Sequence, residues 1–258
     1  MTEKALRAER LTAVVLTHNA EGPALEQVLG ALAFCGEILV IDDMSTDGTP
    51  EEAERCGARV LRRALAGDFG AQRRFGIEQA AGDWILFVDS DETVSRELAE
   101  SIAALVSSGK RAAGRVRRVN RFLHHGISHG SMRSDTVLRL FPRDAVTVRG
   151  LVHESFVTSL PEVRLEGALY HCPYRTWSDT IRKLDAYTES WARERRGKPV
   201  SVLRDMVLRP SWALIKVYVF NGGFLDGRMG WMFAVHHAYY TFMKYAKLYL
   251  LNRSDGRF

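Results

Sequence analysis

Three apolar runs, each ending in polar or acidic residues and each followed by a helix-length segment, decide what this chain can fold into. Leu11-Thr12-Ala13-Val14-Val15-Leu16 stops at Thr17-His18-Asn19, and Ile38-Leu39-Val40-Ile41 stops at Asp42-Asp43. The third, Trp84-Ile85-Leu86-Phe87-Val88, stops at Asp89-Ser90-Asp91-Glu92. Short continuous apolar runs bounded by turn signals read as buried strands. The intervening pattern predicts a helix from Pro23 to about Phe34, with Leu25, Val28, Leu29 and Leu32 on one face. Ser45-Thr46-Asp47-Gly48-Thr49-Pro50 supplies turn residues, a Thr N-cap and a Pro at the first position of a helix reaching Cys56. A strand near Arg59-Val60-Leu61 and a helix over roughly Phe69 to Ala81 complete the series. Strands alternating with helices of this length form βαβ units. The expected fold class is therefore α/β, a doubly wound, mostly parallel, Rossmann-like sheet.

Beyond Asp91 the rhythm changes. A helix from about Ser95 to Val106 precedes strand-like segments at Arg115 to Leu123, Thr136 to Phe141 and Leu165 to His171, a mixed and partly antiparallel half. A helix then spans about Ser178 to Arg195, and Gly197-Lys198-Pro199 breaks the chain. That break divides an expected catalytic domain, 1–197, from a C-terminal helical region, 198–258. Met206 to Phe220 and Met229 to Leu251 are rich in Trp, Tyr, Phe, Leu and Val, but charged and polar residues interrupt both as spans. His236, Tyr240, Lys244 and Lys247 form one polar stripe on an apolar helix. The stripe suits a helix lying in a membrane interface. A helix packed on the catalytic domain or across a dimer interface is the alternative.

Apolar content of 46% and charged content of 26% fit a globular protein long enough to bury a full core. Cys35, Cys56 and Cys172 are odd in number and widely spaced, which argues against a disulfide framework or a zinc site and suits a reducing cytoplasm. The first ten residues are charged and lack the apolar core of a secretory signal. The net charge of +5 is unevenly placed: between Lys110 and Gly150 ten basic residues stand against two acidic ones. Such a patch implies an anionic partner, namely phosphate groups or a phospholipid surface. Nucleic acid is disfavoured, because no nucleic-acid motif is present and no aromatic residues interleave the arginines.

Carboxylates spaced two apart at the carboxyl edge of a sheet sit where open α/β sheets bind ligands, and they suit a cation that also binds phosphate oxygens. Four segments stand in order at strand ends: Val14-Val15-Leu16-Thr17-His18-Asn19, the stretch from Ile38 to Thr49, Ala71-Gln72-Arg73-Arg74-Phe75-Gly76-Ile77, and Phe87-Val88-Asp89-Ser90-Asp91-Glu92. In order and spacing they resemble the family 2 glycosyltransferases of GT-A fold over residues 11 to about 155. Arg139-Leu140-Phe141, Val152-His153-Glu154 and Gly223-Phe224-Leu225-Asp226-Gly227 resemble the bacterial subgroup that includes lipopolysaccharide core glucosyltransferases.

The resemblance implies an inverting, metal-dependent transfer of a hexose, glucose by analogy, from a UDP-sugar to a lipid-linked or lipopolysaccharide-core acceptor. The protein would then be peripheral at the cytoplasmic face of the membrane. Thr17, Asn19, Asp42 and Asp43 would hold the base, Asp43 most directly, with Arg73 near the base or phosphates. Arg74 stands where the family has Asn. Asp91 would bind Mg²⁺ or Mn²⁺, with Asp89 on the ribose or the metal, Glu92 behind them, and His153 a further candidate ligand. Glu154 is implied as the general base, although the family's usual Glu-Asp pair is absent, and Asp135 is second choice. Arg139 and Arg133 would meet donor phosphates, and Arg115, Arg117 and Arg118 those of the acceptor. His124, His125 and His129 lie around the Gly126–Ser131 loop, a candidate acceptor lid, and their spacing reads as loop polarity rather than a metal site. Two other classes compete: a sugar nucleotidyltransferase, disfavoured because no Gly-rich phosphate loop follows the first strand, and a non-catalytic membrane-docked anion-binding module.

Overall fold

The computed structural model describes residues 7–122, 125–127, 129–150, 155–174 and 176–254. They fall into two compact units, one of residues up to 118 with 135–171, the other of 119–134 with 172 onward. The break at Gly197-Lys198-Pro199 lies inside the second unit.

The first unit opens with β1 (Ala8–Thr17), α1 (Pro23–Gly30), β2 (Cys35–Asp42), α2 (Thr49–Arg55), β3 (Arg59–Arg62), α3 (Phe69–Gln79) and β4 (Trp84–Asp89). It continues through β5 (Glu92–Val94), α4 (Arg96–Ser107), β6 (Ala113–Phe122, which runs on into the second unit), β8 (Asp135–Pro142), β9 (Thr147–Arg149), β10 (Ser155–Val157), β11 (Glu162–Arg164) and β12 (Leu169–His171), while β7 (His125–Gly126) belongs to the second unit. The main sheet runs β3-β2-β1-β4-β8-β6-β12-β5. β3, β2, β1 and β4 are parallel, as the βαβ pattern predicts. β8 pairs antiparallel with β4 and β6, and β12 antiparallel with β5.

Both faces of the parallel half are covered, which is why its strands read as continuous apolar runs. Ala13, Val15, Val40, Leu86 and Val88 pack with Leu25 and Leu29 of α1 and Leu98 and Ile102 of α4. On the other face Val14, Leu39, Ile41, Ile85 and Phe87 pack with Phe75 and Ile77 of α3 and with Phe141 and Phe156. Gly76 lets α3 approach the sheet, since a Cβ there would lie 2.6 Å from Val14 Cγ1. That approach carries Arg73 to the end of β4.

Three local expectations shift. α1 ends at Gly30, and tight three-residue turns (Leu32 N–H to Leu29 O, Ala33 N–H to Gly30 O) lead into β2. Thr49 is the first residue of α2 rather than its cap; the Asp47 carboxylate accepts its N–H and hydroxyl. The segment expected as one strand from Leu165 to His171 is broken at Gly167, whose φ of +83° turns the chain tightly against Leu98 and Ser95.

The second unit contains α5 (Trp177–Glu194), started by a Thr176–Asp179 capping box. A helical stretch follows: π-helical turns at Val202–Leu208, α6 (Arg209–Ile215), and π-helical turns again at Lys216–Phe220. A 3₁₀ turn at Gly223–Asp226 leads to α7 (Gly227–Leu251). The polar stripe of α7 does not face outward. Lys247 Nζ donates to Asp185 O and Oδ1 on α5, Lys244 lies over the Trp191 ring, and His236 packs edge-on to Trp177. This corrects the reading of the stripe as headgroup-facing: it is the seam between α7 and α5. The expected loop histidines are also partly reassigned. His129 donates its N–H to Asp226 Oδ2 at 2.9 Å and sets Nδ1 3.0 Å from Oδ1, tying its loop to the start of α7. His124 lies outside the described residues.

Candidate functional site

Strand register sets the expected residues side by side. Leu16 of β1 pairs with Ile41 of β2 and with Asp89 of β4, and Thr17 pairs with Asp42. Thr17, Asn19, Asp42 and Asp43 therefore share one corner of the carboxyl edge. Asp42 is fully buried, accepting from the Thr17 and Ser45 hydroxyls and from the Ser45 N–H at 2.9 Å. Asn19, in the left-handed region at φ 47°, donates its N–H to Ser45 Oγ and accepts from the Thr46 N–H at its Oδ1. Thr17, Asn19 and Asp42 thus spend their polar groups on shaping the two loops. Asp43 is partly exposed. Its Oδ1 accepts from the Leu65 N–H at 2.7 Å, and its Oδ2 lies 3.6 Å from His18 Nδ1.

Next along the edge lies a knot of buried charge. Asp68 caps α3 by accepting the Ala71 N–H, and Arg73 leaves the helix's first turns beneath Phe87 and Phe156, 5.5 Å from each ring centre. It donates to Asp89 Oδ1 at 2.8 Å. Arg139, 5% exposed on β8, donates to Asp89 Oδ2 at 2.8 Å and to Glu92 Oε1 at 2.7 Å. Glu92 is wholly buried; it accepts the Asp89 N–H at 3.0 Å and lies 3.6 Å from Arg118. Burial pushes the Asp89 carboxyl up, but the Arg139 and Arg73 guanidiniums outweigh it and hold it well below the usual carboxylate range. Burial, reinforced by the charge of Asp89, pushes Glu92 up against the pull of Arg139. Burial alone would lower Arg139, yet Asp89 and Glu92 raise it, so it stays charged.

These contacts bear on two expectations. Arg139, expected on the donor phosphates, commits its charge to two carboxylates. Asp89, expected on the ribose or the metal, has each oxygen engaged by an arginine. Arg74, standing where the family has Asn, turns away to donate to Val148 O and Asp68.

Asp91 stands apart from the knot. It makes no ion pair with an arginine among the described residues; its side chain is 34% exposed, and its Oδ2 lies 3.5 Å from His171 Nε2. His171 arrives because β12 runs antiparallel beside β5, setting it opposite Glu92. In the sequence His171 is only the end of a strand-like segment, since nothing local announces that pairing. A carboxylate oxygen beside an imidazole nitrogen is a donor pair that suits Mn²⁺ or Mg²⁺, ions that take further ligands from water and phosphate. Among the described residues no group of three His, Cys, Asp or Glu side chains is arranged to hold a metal. The two donors fit part of the coordination shell of such a cation. His153 and Glu154 lie outside the described residues.

A cleft of about 540 Å³ opens beside the knot, lined by Arg73, Asp89, Arg115, Arg118, Arg139 and Phe156 among others. Asp135 is exposed, with its carboxylate held at 2.7 and 3.0 Å by Arg118, one of the cleft's lining residues. Arg115 pairs with Glu162, whereas Arg117 and Arg133 are exposed.

The model of glycosyl transferase family 2 matches residues 12–149, the stretch that contains both corners of this edge. A lipopolysaccharide core biosynthesis glycosyltransferase, LpsC of Rhizobium meliloti, is 26% identical over 93% of this chain and 92% of its own length. A glycosyltransferase of Rickettsia felis is 25% identical over 93% of this chain and 89% of its own. Among solved structures, a mannosyltransferase from Pyrobaculum calidifontis in complex with GDP-mannose and Mn²⁺ aligns with a TM-score of 0.48 at 15% identity, covering 96% of this chain and 88% of that one. With more than half of its length matched by the family model, the chain belongs to glycosyltransferase family 2, and the acidic edge of its sheet belongs to a glycosyltransferase.

Proposed function

We propose that the protein transfers a hexose, glucose first among the candidates, from a UDP-sugar to a lipid-linked or lipopolysaccharide-core saccharide at the inner face of the cytoplasmic membrane, with inversion. The observation that carries this reading is the division of labour between the two aspartates of the Asp-x-Asp motif. Asp89 is fixed and neutralised by two arginines, whereas Asp91, beside His171, keeps its charge available to a ligand. The LpsC relative supports the acceptor class.

In this reading Asp43 accepts the imide N–H of uracil, on the loops that Thr17, Asn19 and Asp42 hold in shape. Asp89, fixed by Arg73 and Arg139, accepts from a ribose hydroxyl. Asp91 and His171 would hold Mn²⁺ or Mg²⁺, which when bound stabilises the charge growing on the departing diphosphate. Arg115, Arg117 and Arg118 meet phosphate on the acceptor. Glu154 takes the proton of the acceptor hydroxyl as its oxygen attacks the anomeric carbon opposite the leaving group.

Paired substitutions test the base. Glu154→Gln is expected to lower transfer to acceptor by about 10²–10⁴-fold while sparing UDP binding, and Asp135→Asn to change it less than about tenfold. The reverse order, read from initial transfer rates, would move the base to Asp135.

A further inference from the structure

The second unit leaves a helical face bare. Along the stretch from Val202 to Phe220, Leu203, Leu208, Trp212 and Phe220 are 66, 56, 56 and 69% exposed, at steps of five, four and eight residues. Leu225 and Trp231 continue the run at 61 and 48%. A protein in water rarely leaves so many large apolar side chains of one segment uncovered without a partner.

Charge selects the partner. Arg204, Arg209, Lys216 and Arg228 are exposed on the same stretch. Its only acids, Asp205 and Asp226, have side chains 1 and 9% exposed, and both are engaged, by Arg204 and Arg209 and by His129. From 198 to 232 no carboxylate is presented to solvent. A second copy of this chain would set like charges against one another. An anionic bilayer surface sets lipid phosphates at the level of the cations and acyl chains against Leu, Phe and Trp. Among the described residues no helix is long and apolar enough to cross a membrane, which fits a helix lying along the surface.

We propose that the face built by Val202–Phe220 and the start of α7 docks on an anionic phospholipid surface. The inference deepens the membrane-side reading given above, on which it rests, and names its lipid partner and the residues that bind it. Full-length protein is sedimented with phosphatidylcholine vesicles containing about a third phosphatidylglycerol, and with phosphatidylcholine alone. Binding is expected on the anionic vesicles, weakening as salt rises. Leu203→Glu/Trp212→Glu/Phe220→Glu, all at exposed positions, is expected to weaken it by at least about tenfold with an unchanged circular dichroism spectrum. Lys216→Glu/Arg228→Glu is expected to weaken binding to anionic vesicles and leave the neutral ones unaffected. Equal recovery of wild type and both variants would overturn the proposal. So would a dimer, seen by light scattering, that the triple substitution dissolves, since the face would then belong to a second copy. Vesicle binding is read without donor or acceptor, so a failed docking with intact donor turnover refutes the docking alone.

Discussion

Arg139→Met is expected to lower the unfolding free energy by about 3–5 kcal/mol, the usual consequence of removing one partner from a buried ion pair. Arg139 touches both carboxylates of the knot, and Glu92 has no exposed surface through which water could replace it. Methionine keeps much of the arginine's length, so the loss is electrostatic rather than a cavity. Adding Glu92→Gln to the same chain is expected to recover part of the stability, because the stranded buried carboxylate is then neutral. Urea unfolding of the single and double variants measures both effects. A shift below about 1 kcal/mol for Arg139→Met would mean that the knot is solvated and weak.

Asp91→Ala is expected to behave oppositely: little change in stability, and UDP release from donor reduced by at least about 10²–10³-fold at saturating Mn²⁺. The side chain is a third exposed and, among the described residues, its charged neighbour is His171, so its loss strands no buried partner there. His171→Ala is expected to raise the Mn²⁺ concentration needed for half-maximal rate more than it lowers the limiting rate. Asp89→Ala differs from both, because it releases Arg73 and Arg139 together and damages fold and turnover alike. Thermal melts beside Mn²⁺ titrations of the rate separate the three. Full turnover by Asp91→Ala would remove Asp91 from the metal.

What the sequence carried was local. The strands ending at Thr17, Asp42 and Asp89 were legible because apolar runs between turn residues are read within a few positions, and α3 to α5 fall close to their expected ranges. The acidic edge followed from those strand ends. What was not legible was long-range. The surroundings of Asp89 and Asp91 differ because Arg73 from α3 and Arg139 from β8 converge on Asp89. His171 becomes a partner of Asp91 only through the pairing of β12 with β5. The α7 stripe was correctly seen as polar and wrongly faced outward, because Asp185 and Trp191 of α5, which receive it, are far away in sequence.

The most direct measurement is UDP release from a panel of UDP-hexoses by the purified protein, with Mn²⁺ present and then chelated. Turnover of one donor above the rest is expected, abolished by chelator and restored by added Mn²⁺. Turnover of a donor that survives complete chelation would contradict a metal site at Asp91 and His171. Failure to turn over or bind any UDP-sugar would contradict the uridine reading of Asp43.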